Sequence, residues 1–181
     1  MTAAATDPSS LKPVSMEVHH EISQFYYRES RSLQEGRFND WIEQFVAEDI
    51  HYWMPVYELR LMRDKRPAPT PDDAAIYNDN YEELKQRVDR LGTGQVWMED
   101  PPSRIRYLIT NIEAYHCEQS DEFQVYCNLA VYRHRRQIEV TQHLIGREDI
   151  LRRVDNGFRI ARRKLNIDAR VTQDKNLYFF A

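Results

Sequence analysis

Apolar residues recur at helical spacing in the first part of the chain. The first predicted helix runs from Val18 to Leu33, and Gly36 is placed to end it. A second, shorter stripe consists of Phe38, Trp41, Ile42, Phe45 and Val46. Farther along, a third stripe consists of Tyr81, Leu84, Val88 and Leu91. These patterns predict three amphipathic helices, each burying one face.

A strand and a long irregular segment separate the second helix from the third. Residues 50–56 are rich in aromatic and branched side chains and predict a strand. Within residues 60–79, the stretch Arg63–Asp73 is charged and proline-rich. Proline removes a backbone donor, so this stretch is predicted to be neither a regular helix nor a central strand. We interpret residues 60–79 as an extended arm.

From Arg104 onward the pattern has a period of two, which is typical of long strands. In the strand predicted over residues 122–136, one face carries Phe123, Val125, Cys127, Leu129 and Val131. Strands are also predicted over residues 137–154, with a bulge or bend at Gly146, and over 158–169. Residues 155–157, Asp-Asn-Gly, predict the hairpin turn between these two strands.

This order of elements predicts an α+β fold, because helices come first and meandering strands follow. We expect a curved, mainly antiparallel sheet with one face covered by the N-terminal helices. The length of 181 residues suits one domain with a sizeable core. Residues 16–181 are assigned to that domain, residues 1–15 to a flexible N-terminal arm, and residues 60–79 to the proline-rich arm.

Composition and charge argue against several classes of function. The net charge is −4 with both signs interspersed, which gives no general attraction to nucleic acid or to an anionic membrane. The two cysteines are too few for a disulfide framework. No run approaches the roughly 20 apolar residues of a membrane span. We therefore expect a soluble cytoplasmic protein.

The sequence contains no metal-binding or nucleotide-binding motif of the common types. A Rieske cluster needs two Cys and two His, and no suitably spaced His follows Cys117 or Cys127. The chain also lacks a CxxC, an HExxH, a GxGxxG and a P-loop. The histidines, scattered over several predicted elements, are His19, His20, His51, His116, His134 and His143. No metal site and no cofactor site is predicted in this chain, and both cysteines are assigned structural roles.

Acid–base catalysis inside the sheet is the more serious enzymatic alternative. The candidate residues are Asp49, His51, Tyr52 and Tyr107. Against this alternative, the best-defined strand has an apolar face, and burying an unpaired acid there would be costly. A closed apolar core is therefore preferred.

The remaining surface suits contact with other proteins. Tyr, Trp and Arg are enriched at interfaces, and the second face of strand 122–136 carries tyrosines flanked by arginines. The candidate interface residues are Trp97, Met98, Arg104, Arg106, Tyr126, Tyr132 and Arg133. For each of them an ordinary solvated position is an equally weighted alternative.

Several segments together resemble the β subunits of aromatic-ring-hydroxylating dioxygenases, especially those of the biphenyl, toluene and isopropylbenzene type. The resemblance covers nearly the whole chain after the N-terminal arm. No single segment is specific to the family, but the segments taken together are. The segments are residues 18–33, Phe38-Asn39-Asp40-Trp41, residues 49–56, residues 101–111, residues 158–164 and Asn176-Leu177-Tyr178-Phe179-Phe180.

This resemblance implies the cone-shaped fold of nuclear transport factor two and ketosteroid isomerase. It also implies a non-catalytic subunit that supports a trimer of α subunits in an assembly of three α and three β subunits. The α subunit would hold a Rieske 2Fe–2S cluster and a mononuclear iron, and NADH would supply electrons through a reductase and a ferredoxin. The reaction would add both atoms of dioxygen to an aromatic ring, giving a cis-dihydrodiol. The resemblance implies no catalytic motif in this chain, because the β subunit family has none.

Two other functions remain open from the sequence. One is a stand-alone enzyme of the same cone fold, an isomerase or dehydratase with an acid–base pocket. The other is a ligand-binding module that has the cavity but lacks the acid–base pair. An open cavity near Asp49, His51 and Tyr107 would favour the enzyme, whereas a filled cone would favour the structural subunit.

Overall fold

The computed structural model describes residues 11–56, 60–93, 102–155, 157–169, 177 and 179–181. Helices precede the long strands, as the α+β prediction requires. In chain order the elements are α1 (Met16–Gln34), α2 (Phe38–Phe45), β1 (Val46–Pro55), β2 (Ala75–Asp79), α3 (Tyr81–Gly92), β3 (Arg104–His116), β4 (Glu122–Arg135), β5 (Glu139–Val154) and β6 (Gly157–Ile167).

Local side-chain chemistry sets the ends of the helices. The Ser15 hydroxyl accepts a hydrogen bond from the Val18 amide at the start of α1. Just beyond the end of this helix, Gly36 has a φ of 69°, a left-handed conformation that favours glycine. A capping box between Asn80 and Glu83 starts α3. Short-range signals therefore set both ends of α1 and the start of α3.

The six strands form one sheet in the order β2-β1-β6-β5-β4-β3. Neighbouring strands are antiparallel except β1 and β6, which are parallel. In the hairpin between β5 and β6, Val154 pairs with Gly157, which confirms the predicted turn position; Asn156 itself lies outside the described residues. A mainly antiparallel sheet with one parallel junction is the result.

The three helices pack against one face of the sheet, called here the inner face, and enclose the core. The predicted apolar side of strand 122–136 lies on this face, where Phe123, Val125, Cys127, Leu129 and Val131 are all buried. The opposite side is called the outer face. Sheet and helices together form the cone-shaped fold expected from the sequence.

Three local predictions need correction. Strand β1 begins at Val46, directly after α2, and not at Ile50. Ala75–Asp79, at the end of the proline-rich segment, forms a strand at the edge of the sheet. Gly146 is regularly paired with Asn128 and Asn166, so the bulge predicted there is wrong. The irregularity lies in the β5–β6 pairing, where Ala161 of β6 is an extra residue between the partners of Ile150 and Leu151.

Candidate functional site

The interior of the cone contains four charged side chains. Glu29 comes from α1, Arg147 and Asp149 from β5, and Arg163 from β6. Glu29, Asp149 and Arg163 have no solvent-exposed surface and Arg147 is 3% exposed. The prediction of a closed apolar core is therefore wrong in this respect. We refer to these four residues as the buried ion cluster.

Arg163 binds both carboxylates of the buried ion cluster. Its Nη1 lies 2.6 Å from Glu29 Oε1, and its Nη2 lies 2.8 Å from Asp149 Oδ2. Its Nε also donates to Asp149 Oδ1 over 3.0 Å. The planar guanidinium is suited to such bidentate contacts, which a lysine ammonium could not reproduce.

Arg147 and two aromatic side chains complete the cluster. Arg147 Nη2 donates to Glu29 Oε2 over 2.9 Å and to Asp149 Oδ2 over 3.1 Å. The Tyr26 hydroxyl donates to Asp149 over 2.9 Å, and the Trp41 indole nitrogen donates to Glu29 over 3.1 Å. Two arginines and two carboxylates thus balance each other in charge, as buried ions require.

The two carboxylates remain ionised in this setting. Burial by itself raises the pKa of Glu29, but Arg163 and Arg147 outweigh it and hold that pKa at about 2. The pKa of Asp149 is likewise lowered, because the same two arginines overcome the effect of its burial. A general acid or base needs a pKa near the working pH, so neither carboxylate is suited to proton transfer near neutrality.

The last residues of the chain lie in the interior beside the buried ion cluster. The main-chain oxygen of Ala181 accepts hydrogen bonds from Arg163 Nη1 and from the Tyr52 hydroxyl, both at 2.9 Å. The Ala181 amide donates back to the same hydroxyl over 2.9 Å. Phe180 stacks on Trp41 with 4.8 Å between ring centroids. Phe179, Phe180 and Ala181 are therefore part of the core, each no more than 4% exposed.

The four candidate acid–base residues do not meet. Tyr52 and Tyr107 are buried on the inner face, and burial raises both of their pKa values. The Tyr107 hydroxyl has no hydrogen-bond partner among the described residues. His51 alternates with Tyr52 along β1 and bonds Asn78 over 2.8 Å, while Asp49 is exposed and bonds Arg152 over 2.9 Å. No acid–base pair is assembled from these residues.

The cysteines and histidines of the described part of the chain are also dispersed. Cys127 is buried in the core as predicted, and Cys117 packs beside Ala47, Ile150 and Ala161. Within the ranges that the structure describes, no group of three or more His, Cys, Asp or Glu side chains could hold a metal ion. These side chains do not fit the ligand set of a Rieske cluster. No described helix is long and apolar enough to cross a membrane.

The predicted interface residues divide between the two faces of the sheet. Arg104, Arg106, Tyr126 and Tyr132 lie on the outer face, where Arg106 is paired with Tyr132 across β3 and β4. Arg133 lies on the inner face and is only 5% exposed. Its Nε donates a hydrogen bond to the Ser103 hydroxyl. Trp97 and Met98 lie outside the described residues. The contact role of all these residues stays a prediction.

The buried ion cluster was missed from the sequence, although a signal was present. Glu29 is in phase with the apolar stripe of α1, four residues before Leu33. Arg147 and Asp149 continue the inward alternation of Ile145, and Arg163 precedes Leu165 in the same phase. Charged residues of both signs at several inward-facing positions indicate that they pair with one another in the core, since burying an isolated charge there would be too costly.

Comparison with known proteins agrees with this architecture. The family described as "Ring hydroxylating beta subunit" matches residues 28–174. The β subunit of the 3-phenylpropionate/cinnamic acid dioxygenase of Photorhabdus laumondii is 37% identical over 168 residues, which cover 92% of this chain and 93% of the relative.

Two solved structures share the fold. A structure of naphthalene 1,2-dioxygenase superposes with a TM-score of 0.88 at 23% identity, covering 99% of this chain and 95% of that chain. The β subunit of the benzoate 1,2-dioxygenase of Burkholderia mallei superposes with a TM-score of 0.68 at 21% identity, covering 87% and 93%.

The fold thus defines a cone-shaped α+β protein whose interior around the buried ion cluster is occupied by its own side chains. Beside this region, a pocket of about 980 Å³ lies between α1 and β3 and is lined by Tyr107 among other residues. Family and sequence relationship then give the class: the chain belongs to the β subunits of the ring-hydroxylating dioxygenases. In this family the β subunit is part of an oxygenase complex whose catalytic site lies in the α subunit.

Proposed function

We propose that this chain is the structural β subunit of a terminal oxygenase that dihydroxylates aromatic hydrocarbons of the biphenyl or toluene type. Three copies would support three α subunits, and the product would be a cis-dihydrodiol. The Rieske cluster and the mononuclear iron would reside in the α subunits, with electrons delivered from NADH by a reductase and a ferredoxin. The complex would work in the cytoplasm.

The occupied interior around the buried ion cluster is the observation that carries a structural role. Of the four acid–base candidates, only Tyr107 lines the pocket of about 980 Å³ between α1 and β3. A substrate pocket in an enzyme is concave and largely preformed. Here the space around the buried ion cluster also holds Phe179, Phe180 and Ala181, and Arg163 of the cluster donates a hydrogen bond to the Ala181 oxygen. The side chains with catalytic potential are either locked in ion pairs or kept apart on opposite faces. The interior therefore supports stability and shape rather than turnover.

Two further features agree with the proposal. Both cysteines are free thiols, as expected for a chain that works in a reducing compartment. The named relative from Photorhabdus laumondii is a subunit of an oxygenase that acts on 3-phenylpropionate and cinnamic acid, both of which carry an aromatic ring. Its substrates support a ring as the reacting group, while the hydrocarbon class rests on the resemblance of the sequence.

Co-expression with the cognate large subunit tests the proposal. The complex would be purified through a tag on this chain, its mass determined by native mass spectrometry, and iron measured in each separated subunit. We expect equal numbers of the two chains in a hexamer, with all iron on the large subunit. Biphenyl should be converted to a cis-dihydrodiol once dioxygen, NADH, the reductase and the ferredoxin are added to supply the two electrons. Failure of the two chains to co-purify, or iron retained by this chain, would contradict the proposal.

A further inference from the structure

The pocket of about 980 Å³ lies along the free edge of the sheet, between α1 and β3. β3 is the last strand of the sheet, so only β4 is its neighbour among the six strands. The Arg106 guanidinium joins the two walls of the pocket by donating to the Gln34 side chain over 2.9 Å. Walls built on a helix and a strand position side chains more precisely than loops do, and the volume is typical of small-molecule sites.

Side chains from both faces of β3 border this pocket, because an edge strand is accessible from either face. Ile105 and Ile109 belong to the inner face, whereas Arg104 and Arg106 belong to the outer face. Beyond Ile109 the strand bulges at Asn111, where the β3–β4 register shifts. The β3 wall thus combines apolar and cationic groups, which a central strand would keep on opposite sides of the sheet.

The lining carries an excess of positive charge. Its described residues include the guanidinium groups of Arg31, Arg104 and Arg106 and one carboxylate, that of Glu35. The Glu35 carboxylate is already bound over 2.9 Å by Arg37, which does not line the pocket. Neither Arg31 nor Arg104 makes a side-chain hydrogen bond or ion pair within the described ranges. The pocket therefore favours an anion, since a guanidinium binds a carboxylate or phosphate through two parallel hydrogen bonds.

Aromatic and apolar side chains form another part of the lining. The rings of Tyr27, Tyr107 and Tyr132 border the pocket together with Ile105 and Ile109. Tyr27 and Tyr132 are partly exposed, so a ligand can reach their rings. A tyrosine ring offers a face for stacking, and an isoleucine offers apolar contact. A few charged groups in a partly apolar lining are typical of sites that bind small molecules and fix their orientation.

We propose that this pocket binds a small organic anion, an aromatic ring that carries a carboxylate. Arg31 and Arg104, which lack a partner in the described chain, hold the carboxylate, while the ring packs against the tyrosines and isoleucines. A concave site of this volume suits a small molecule, whereas a stable protein contact needs a broad surface of about 800 Å² on each partner. The binding belongs to this chain itself, so it does not depend on the assembly with α subunits proposed above.

Calorimetric titration of the full chain with 2-naphthoate tests the inference. The uncharged 2-naphthamide is the matched ligand, and inorganic phosphate is the probe for an anion without a ring. The variants are Arg31→Gln and Arg104→Gln, and the control is Arg28→Gln, at an exposed arginine of α1 that does not line the pocket. Thermal unfolding verifies that each variant is folded. The titrations are repeated on the complex with the large subunit, where the site on this chain is the one that Arg104→Gln weakens.

We expect one 2-naphthoate to bind per chain with a dissociation constant below about 1 mM, both alone and in the complex. 2-Naphthamide should bind at least about tenfold more weakly, because it offers no charge to the arginines. Arg31→Gln and Arg104→Gln should each weaken 2-naphthoate binding at least about tenfold, and Arg28→Gln should match the wild type.

Four results would overturn the inference. The first is no saturable binding of 2-naphthoate, and the second is equal affinity for 2-naphthamide or equal affinity of the two pocket variants and wild type. The third is inorganic phosphate binding as tightly as 2-naphthoate, since the ring would then contribute nothing. The fourth is binding to the isolated chain that is lost in the complex, which would mean that the partner protein occupies the pocket. The proposed function stands in each case, because it requires no ligand in this chain.

Discussion

Arg163 on β6 and Glu29 on α1 form an ion pair with 2.6 Å between Nη1 and Oε1, in the centre of the protein. The two residues are 134 positions apart in the chain, and neither has solvent-exposed surface. Their contact joins the first helix to the last strand. The same guanidinium also binds the main chain of Ala181, so one side chain connects helix, sheet and the C-terminal residues.

Breaking this pair on one side should be strongly destabilising. Glu29→Gln leaves two buried arginines facing one carboxylate, and Arg163→Met leaves two carboxylates facing one arginine. Loss of one partner from a buried pair typically costs about 3–5 kcal/mol. The free energy of unfolding, measured by urea titration of the isolated chain, should fall by this amount for each single variant.

The double variant Glu29→Leu with Arg163→Met separates charge imbalance from lost packing. It removes one charge of each sign and leaves the Arg147–Asp149 pair, so it should be more stable than the single variants Glu29→Leu and Arg163→Met. If the losses in unfolding free energy of the two single variants add up to the loss of the double variant, the two residues are not coupled. Arg37→Met, at exposed ion pairs with Glu35 and Asp40, is the control and should be nearly neutral.

Acid should destabilise the folded chain through Glu29 and Asp149. The pKa of Glu29 is about 2 in the folded protein, below its ordinary value of 4.5, because Arg163 and Arg147 overcome the effect of burial. Between these two values the unfolded chain binds more protons than the folded chain. The stabilisation is therefore fully present above pH 4.5 and is lost as the pH falls toward 2.

The measurement is the urea midpoint as a function of pH. Wild type should lose on the order of 3 kcal/mol through Glu29 over this range, with a further loss in the same direction through Asp149. The double variant Glu29→Leu with Arg163→Met should show a shallower dependence, since one of the shifted carboxylates is gone. Equal pH slopes for the two proteins would contradict this assignment.

Local elements were predictable from the sequence because their signals are local. The stripe from Val18 to Leu33 predicted α1, and the alternation from Phe123 to Val131 predicted the inner face of β4. The Asp-Asn-Gly sequence located the β5–β6 hairpin. Each signal depends on periodicity or turn chemistry within about 15 residues, which a single sequence contains.

The interior site could not be predicted in the same way. The parallel pairing of β1 with β6 and the burial of Phe179 and Phe180 depend on contacts between distant parts of the chain. Glu29 and Asp149 occupy sequence positions where apolar residues are expected. Such a charged residue predicts little until its partners are known, because the cost of burying it depends on whether an opposite charge lies beside it. The bulge at Asn111 had no local signal.

The Tyr52 hydroxyl should contribute to holding the C-terminal residues in the core. It donates to the Ala181 oxygen and accepts from the Ala181 amide, both over 2.9 Å. Tyr52→Phe leaves the amide without this acceptor and should cost about 1–3 kcal/mol in the free energy of unfolding. Tyr27→Phe, at a tyrosine that is 48% exposed, is the control and should be nearly neutral. Equal stability of the two variants would show that this hydrogen-bond pair adds nothing to docking of the C-terminal residues.

The two cysteines should differ in reactivity. Burial raises the pKa of Cys127 to about 11, and the side chain lies on the inner face beneath the helices. The thiolate is the reactive form, so Cys127 should resist alkylation in the folded chain at pH 8. Cys117 is partly exposed and should be modified first, although burial raises its pKa as well.

Iodoacetamide labelling followed by peptide mass spectrometry distinguishes the two sites. In wild type, the labelling rate of Cys127 should increase with urea in parallel with global unfolding, because the thiol becomes accessible only when the inner face opens. In Tyr52→Phe the increase in labelling rate should occur at a lower urea concentration. The shift in its midpoint should correspond to the loss in the free energy of unfolding of this variant. Rapid labelling of Cys127 without urea would mean that the cone interior opens locally, and the interpretation of that interior as a permanently filled structural core would then be wrong.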